Sequence, residues 1–268
     1  MPKLSLSQAW EETARVLARD GRLFLAVALA LFVLPGLILD VSLPDVAASA
    51  FPAAGAWIAV GIAALIVSLV GQLAVIRLAM EPHVAVGEAI VHGLKRLVPY
   101  VIAVLVWVVP ILIAGSVLYN LVGADEAHPP VSAAVALIVL TVVGVYVGVR
   151  MMLSSPVASA EPLGPFAILR RSWDLSHGNW WRLFAFLLLF GIGALCLIWA
   201  VDSVAALVVR LFDADAGPRS LGGLLVSIVS QLVSALLSVV FFVMLARIYV
   251  QRSGTGAAAA PTVPRSGT

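Results

Sequence analysis

Charge and cysteine are both scarce in this sequence. Charged residues make up 11% of its 268 positions, less than half of the about 25% that is usual in soluble domains, whereas hydrophobic residues make up 62%. These proportions exclude a soluble globule, a disordered chain and a coiled coil. The one cysteine, Cys196, cannot form a disulfide or a thiolate metal site within a single chain, and its apolar neighbours predict a small buried side chain. The class that remains is a helical membrane protein that crosses the bilayer several times.

Motifs that carry chemistry are also missing. The four histidines lie in separate loops, with no HExxH sequence and no pair spaced four residues apart, so they do not form the ligand set of a metalloprotease. No P-loop and no G-x-S-x-G element occurs, and the apolar runs hold none of the acidic residues that proton relays usually need. A net charge of only +2 gives no nucleic-acid footprint. The sequence therefore predicts a protein that is not an enzyme and that has no metal site, no cofactor and no nucleic-acid partner.

Six apolar runs are each long enough to cross a bilayer as a helix. A hydrocarbon core of about 30 Å needs about 20 helical residues, and the runs lack the alternation of a barrel strand. The first run is interpreted as an uncleaved span, because the segment before it is long and contains acidic residues, unlike a signal peptide. The predicted spans are 23–39, 57–76, 101–121, 131–149, 183–201 and 224–246.

The basic residues lie almost entirely on one side of these spans. Of the 16 Lys and Arg residues, 14 fall in the N-terminal segment, the second-to-third loop, the fourth-to-fifth loop and the C-terminal tail. The opposite loops hold only Arg210 and Arg219, together with most of the loop aspartates. Because cytoplasmic loops carry the excess of Lys and Arg, both termini are predicted to be cytoplasmic. The predicted location is the inner (plasma) membrane of a bacterial cell.

Several markers recur along the chain at intervals of about eighty residues. Glu-Pro pairs occur at 81–82 and 161–162, and Arg77, Arg150 and Arg247 each follow an even-numbered span in apolar company. The fold class predicted is therefore all-α, with six transmembrane helices in three parallel repeats of an amphipathic helix plus a helix pair. The units are about 1–80, 81–160 and 161–250 within a six-span membrane domain at 1–250, followed by a disordered cytoplasmic tail at 251–268.

An amphipathic helix is predicted before each odd-numbered span, and Ser5 and Gln8 are spaced as a capping box at the start of the first one. Two readings stay open for these helices, which either lie in the lipid interface or pack on the ends of the spans. A short helix parallel to the outer surface is predicted at 202–212. The apolar faces of the three amphipathic helices comprise Leu6, Ala9, Trp10, Thr13 and Leu17; Val86, Ile90, Leu94 and Leu97; and Phe166, Leu169 and Trp173.

Polar residues inside or near the spans are the candidate site residues. For the neutral residues, the two possible roles are close helix packing and a substrate path. For the arginines, they are anchoring in the interface and contact with an anionic headgroup or ligand. The candidates for a polar path or for headgroup contacts are Gln72, Arg77, Arg150, Ser227, Ser230, Gln231, Ser234 and Arg247.

The segment between the fourth and fifth spans carries a family resemblance. It contains Arg171-Ser172-Trp173, then Gly178-Asn179, then Arg182-Leu183-Phe184 at the start of a span, and the chain opens with SLSQAWEETARVLARDGRLFL. Both stretches resemble the membrane-domain family found beside some bacterial glycerophosphoryl diester phosphodiesterases, and related six-helix inner-membrane proteins. The resemblance implies a six-span inner-membrane protein. It implies no phosphodiesterase activity, because that family's catalytic part is a separate soluble barrel.

The sequence thus predicts a non-enzymatic integral membrane protein acting as a scaffold, a lipid-interacting protein or an accessory subunit. Its expected partners are membrane lipids and another membrane protein, and its small-molecule ligand is unknown. The alternative is a small transporter or lipid-handling protein with a central polar path, which requires the candidate residues to converge on one cavity.

Overall fold

The chain is all-helical in this computed structural model, which describes residues 5–43, 55–81, 83–122, 131–212 and 220–254. Within those ranges 92% of residues are helical and none lies in a strand. Six helical segments are long and apolar enough to cross a membrane, which confirms the six predicted spans. These segments are Leu6–Ser42, Ala56–Met80, Val86–Leu118, Val135–Ala160, Trp180–Val209 and Leu221–Ser253.

Individual helices have the following bounds. They are α1 (Leu6–Ala28), a π-helical turn (Leu29–Val33), α2 (Leu34–Ser42), α3 (Ala56–Met80), α4 (Val86–Val122), α5 (Val131–Met151), α6 (Ser154–Ala160), α7 (Pro165–Ser176), α8 (Trp180–Phe212) and α9 (Leu221–Ser253). α8 continues unbroken to Phe212, so the prediction of a separate surface helix at 202–212 is wrong. Residues 251–253, assigned to the tail from sequence, belong to α9, and the tail from 255 onward lies outside the described residues.

The first amphipathic segment and the first span form one bent helix. The Ser5 side chain accepts a hydrogen bond from the backbone N–H of Gln8, as the predicted cap requires. The backbone leaves helical geometry at Asp20, where φ is −116° and ψ is 17°. Further on, Leu34 donates its N–H to the carbonyl of Leu29, five residues back, directly before Pro35, which has no N–H to donate. The span therefore bends where proline interrupts its hydrogen-bond ladder.

Packing differs between the two ends of the bundle. We name the end formed by residues 6–28, 70–103, 146–187 and 239–253 the basic end, and the end formed by residues 29–43, 56–66, 104–122, 131–145, 188–212 and 221–236 the open end. Nearly all fully buried side chains lie at the basic end, where α3 and α9 form the centre and α1, α4, α6 and α7 pack around them. At the open end, large apolar side chains point away from the described protein on every helix.

α6 is the most buried element of the described chain. All six residues of 154–159 are buried, three of them serines, and the helix contacts α3, α4, α7 and α9. No helix was predicted here, because seven residues are too few for a span and too polar for an apolar run. Small side chains let the neighbouring backbones approach closely, which is how helices associate inside a bilayer.

Glycine permits a second close approach at the basic end. A Cβ atom on Gly93 of α4 would lie 2.9 Å from the carbonyl oxygen of Val70 on α3. This contact explains why the face of α4 differs from the predicted one. Leu94 is exposed, whereas Ala89 and Gly93 are buried against α3.

The open end contains an apolar groove between α4 and α5. Its volume is about 590 Å³, and Gly115 and Gly144 lie on opposite walls. Cys196 on α8 is also exposed at this end. The prediction that it is buried was wrong, because an apolar run in a membrane helix faces lipid as readily as protein.

The three predicted repeat units differ in detail, and the repeat itself stays a prediction. Amphipathic segments are continuous with the following span in α1 and α4, whereas α7 is separated from α8 by a turn at Gly178 with φ of +78°. Arg77 and Arg150 are 73 positions apart, but Glu81 and Glu161 are 80 apart. α6 lies between Arg150 and Glu161, in the interval that is longer than the one between Arg77 and Glu81.

Candidate functional site

Gln72, the first predicted site residue, belongs to a polar contact between α3, α4 and α6. Its Nε2 atom donates to the hydroxyl of Tyr100 at 3.2 Å, and that hydroxyl also hydrogen-bonds the side chain of Ser155. Nearby, the Ser159 hydroxyl donates to the carbonyl of Leu73 at 3.2 Å, and Nε2 of His92 donates to the carbonyl of Ser159 at 2.8 Å. Gln72 thus helps to fix α6 in the bundle.

The polar stripe of α9 faces the first span. Ser227 donates a short hydrogen bond to a carboxylate oxygen of Asp40, and the Gln231 side chain packs directly on Gly36. Ser230 and Ser234 are partly buried on the same helix, and the carbonyl of Ser234 accepts a hydrogen bond from its own helix. Ser227 and Gln231 therefore join α9 to α2.

Arg77 forms an ion pair within its own chain segment. Its Nη2 atom lies 2.6 Å from a carboxylate oxygen of Glu81, one turn further along, at the end of α3. Both side chains keep some solvent exposure, so the pair stabilises the fold by less than about 1 kcal/mol. Arg77 is therefore paired with the carboxylate of the first Glu-Pro pair.

Arg150 is 9% exposed and fastens α7 to the bundle. Its Nη2 donates to the Tyr146 hydroxyl at 2.9 Å and its Nη1 to the Trp173 carbonyl at 3.4 Å. The guanidinium lies 4.7 Å from the ring centroid of Trp173, within cation–π distance. In return, the Ser172 hydroxyl donates to the Arg150 carbonyl at 2.8 Å. A cation beside the last carbonyls of a helix is favoured by the helix dipole.

Arg252 supplies a second cation to the same end of α7, and sequence reasoning missed it. Its Nε donates to the carbonyl of Leu175 at 3.0 Å and its Nη2 to the carbonyl of His177 at 3.2 Å. The residue is buried, although it lies in the segment predicted to be a disordered tail. Its only sequence signal is its spacing of five residues from Arg247, which does not indicate a partner.

Glu161 joins three elements and was also missed as a site residue. One carboxylate oxygen accepts from Nε of Arg171 at 3.0 Å and from the Tyr249 hydroxyl at 2.7 Å. Glu161 precedes α7, Arg171 lies on α7 and Tyr249 lies on α9. The signal available in the sequence was the second Glu-Pro pair, which the sequence analysis used only as a marker of the repeat.

Arg247 has an incomplete set of partners. Its Nη2 donates to the carbonyl of Ala79 at the end of α3, whereas its Nε is buried and has no hydrogen-bond partner among the described residues. Arg247 therefore joins α9 to α3, and α9 also packs against α1.

Four aromatic side chains are exposed at the basic end. α7 buries the face that contains Ile168 and Leu175 and leaves Phe166 72% exposed. Trp173 is partly exposed beside it, and Trp181, at the start of α8, is 74% exposed. Trp10 on α1, which was predicted to lie on the apolar face of the first amphipathic helix, is more than half exposed as well. We call these four residues the aromatic rim.

Five of the eight predicted residues make contacts between helices in the described parts of the chain, namely Gln72, Arg150, Ser227, Gln231 and Arg247. They join α3 to α4, α9 to α2, α5 to α7, and α9 to α3. The transporter alternative depends on their convergence and stays a prediction. No group of three or more His, Cys, Asp or Glu side chains in the described ranges is arranged to hold a metal ion.

Comparison with known proteins gives a family and no activity. No curated protein and no solved structure matches the chain. The model of a family described as a domain of unknown function (DUF7847) matches residues 4–252, so the chain belongs to that family.

Proposed function

We propose that this chain is a non-enzymatic integral membrane protein whose basic end interacts with lipid headgroups, as a scaffold or as an accessory subunit of another membrane protein. The observation that carries the proposal is the aromatic rim. A helix immersed in water gains nothing by exposing Phe166, whereas aromatic side chains are favoured at the boundary between lipid and water. These residues belong to the same end of the bundle as the Arg-rich segments, as expected at a headgroup layer.

The buried face of α7 supports this role from the other side. Arg150 and Arg252 hold the carbonyl end of α7, and Glu161 binds Arg171 near its middle. α7 is thus packed on the bundle through one face and available to lipid through another, which combines the two readings that the sequence left open. A docked helix keeps the same depth in the membrane, so it presents its aromatic residues to lipid without a further cost in conformational entropy.

The proposal includes an orientation. The basic end faces the cytoplasm of a bacterial cell, since cytoplasmic loops are enriched in Lys and Arg, and the membrane is the inner membrane. The three-unit repeat and the resemblance to the membrane domain of glycerophosphoryl diester phosphodiesterases are parts of the same proposal. In this proposal the repeat and the resemblance reflect an ancestral unit of one amphipathic helix and two spans. α6 was then added in the second unit.

Spin labels on α7 test the headgroup contact. Cys196 is the one native cysteine, so Cys196→Ser gives a background in which a single cysteine at 166 or at 174 carries the label. In lipid nanodiscs, the label at 166 is expected to collide more with oxygen, which is lipid-soluble, than with a water-soluble nickel chelate. Position 174 is exposed on the same helix and is the matched control, for which the opposite preference is expected. Equal, water-like accessibility at 166 and 174 would contradict the proposal.

A further inference from the structure

The last turns of α8 project beyond α9, the helix against which α8 mainly packs. Phe186 of α8 stacks on Phe241 of α9, with 5.7 Å between the ring centroids. Leu221, the first residue of α9, lies 20 positions before Phe241, so it is level with Ala206, which lies 20 positions after Phe186. Because α8 continues to Phe212, residues 207–212 extend past the start of α9.

The same segment extends beyond the lipid tails. Trp181, near the start of α8, belongs to the aromatic rim, and Leu211 follows it by 30 residues, or about 45 Å of helix. The hydrocarbon core is only about 30 Å thick, and an average tilt of about 20° shortens the helix by only about 3 Å along the bilayer normal. Asp202, about 32 Å from Trp181, lies where the tails end, as expected of a charged side chain. This step uses the headgroup level that the proposed function gives to the rim.

An apolar stripe runs along α8 from the lipid into the projecting segment. Its six members are spaced alternately by four and three residues, so they lie on one face of the helix. All six are exposed in the described protein, and Leu207 and Leu211 are 60% and 76% exposed. We call this face the α8 stripe, which consists of Gly193, Leu197, Ala200, Val204, Leu207 and Leu211.

The composition of the α8 stripe changes where α8 leaves the lipid. Among the tails, Gly193 and Ala200 are small, and a Cβ atom on Gly193 would meet no described atom within 4 Å. Small residues let a second helix approach closely inside a bilayer. Beyond the tails, Leu207 and Leu211 are large, and in water the burial of such side chains drives association. Lipid tails do not cover these two leucines, because α8 is unbroken and does not turn to lie along the membrane surface.

We propose that the α8 stripe binds the α8 stripe of a second copy of this chain in a parallel two-helix contact. Two copies inserted in the same orientation present each residue at the same depth, so a two-fold axis along the membrane normal brings every member of the stripe opposite its equivalent. The alternating spacing is that of a parallel two-stranded coiled coil. A second copy therefore supplies a matching face both inside and outside the lipid. The inference goes beyond the proposed function, which concerns the other end of the bundle.

Single cysteines in native membranes test the contact. In a Cys196→Ser background, Leu197→Cys and Leu207→Cys each place a thiol on the α8 stripe. Leu195→Cys is the matched control, because Leu195 is an exposed leucine on the opposite side of α8 at nearly the depth of Leu197. Mild oxidation with copper phenanthroline is expected to give several times more disulfide-linked dimer at 197 and 207 than at 195, since a disulfide needs Cβ atoms within about 4.5 Å. Equal cross-linking at all three positions would overturn the proposal.

Glycine substitutions test the close approach without cross-linking. Gly193→Leu enlarges the α8 stripe, and Gly191→Leu adds the same side chain to another face of α8. A Cβ atom at either position meets no described atom within 4 Å, so both variants are expected to fold. Fluorescently labelled protein, diluted in vesicles of phosphatidylethanolamine and phosphatidylglycerol, is counted by single-molecule photobleaching. Wild type and Gly191→Leu are expected to bleach mostly in two steps, whereas Gly193→Leu should lose most of the two-step fraction.

Three results would contradict the second copy as the occupant of the stripe. One-step bleaching of the wild-type protein would show a monomer. Two-step bleaching that Gly193→Leu leaves unchanged would assign the dimer to another face. Cross-linking of Leu207→Cys only to a different membrane protein would make that protein the partner. The spin label at 166 reports on α7 and does not depend on this contact, so a failure here is distinguishable from a failure of the proposed function.

Discussion

Large apolar side chains occur at both the basic end and the open end, yet among the described residues only the basic end is closely packed. Between α3, α4 and α6 the contacts include glycine, alanine and serine beside larger apolar side chains, with hydrogen bonds such as that from Ser159 to the Leu73 carbonyl. At the open end, α5 and α8 present leucine, valine and isoleucine on most of their surfaces. Lipid tails are as apolar as leucine, so hydrophobicity does not drive helices together in a bilayer. Small residues and polar partners decide where they meet.

This comparison predicts that two leucine-to-alanine substitutions, one at each end, differ greatly in their effect on stability. Leu73→Ala, at a fully buried position in the basic end, should lower stability by about 2–5 kcal/mol because it leaves a cavity against α6. Leu189→Ala, at a position that is 77% exposed in the open end, should have little effect. Thermal unfolding in a neutral detergent measures both. Equal loss of stability in the two variants would mean that the open end is packed in a way that these contacts do not indicate.

Glycine substitutions sharpen the same contrast. Gly93→Ala should destabilise by about 1–3 kcal/mol, because the added methyl group would press against the Val70 carbonyl and force α3 and α4 apart. Gly191→Ala, where nothing lies within 4 Å of the added atom, should be neutral or stabilising by up to about 1 kcal/mol, since alanine favours a helix. The measurement is again the unfolding temperature of each variant. A stabilised Gly93→Ala would contradict the close approach of α3 and α4.

A smaller effect is expected at the junction of α7 and α9. Glu161→Gln weakens the hydrogen bonds from Arg171 and Tyr249, and we expect a loss of about 0.5–1.5 kcal/mol, because the Arg171 pair is partly exposed and screened. Faster amide hydrogen exchange should appear in α7 and leave α3 unchanged. Tyr249→Phe is the matched variant, and its effect should be largely absent in the Glu161→Gln background. Additive effects of the two substitutions would show that the two side chains act independently.

The spans were predictable because their signal is local. A run of about twenty apolar residues has one low-energy conformation in a bilayer, the α-helix, because its backbone groups hydrogen-bond to one another. The six predicted spans and the Ser5 cap are examples. In contrast, α6 was not predicted, because seven residues that include three serines have the composition of a loop. Only the contacts with neighbouring helices show that the segment is a buried helix.

The polar residues show the limit of sequence reasoning more clearly. Gln72, Gln231 and Arg247 were selected because they lie in or beside the spans, but their partners come from other helices. Arg252 and Glu161 were overlooked because they lie in segments assigned to a tail and to a loop. Hydrophobic periodicity shows which positions are polar, and it contains no information on which residue from a distant part of the chain supplies the second half of a contact.

The sequence alone determined that the chain forms six membrane-length helices with its basic residues concentrated in alternate connections, because chain length and hydrophobicity set those properties one segment at a time. Tertiary structure alone decided that α6 is enclosed, that Arg150 and Arg252 bind the carbonyl end of α7, and that Arg247 joins α9 to α3. Each of these depends on residues far apart in the chain meeting within about 3 Å, a distance at which hydrogen bonds and shape, rather than apolar character, fix the arrangement.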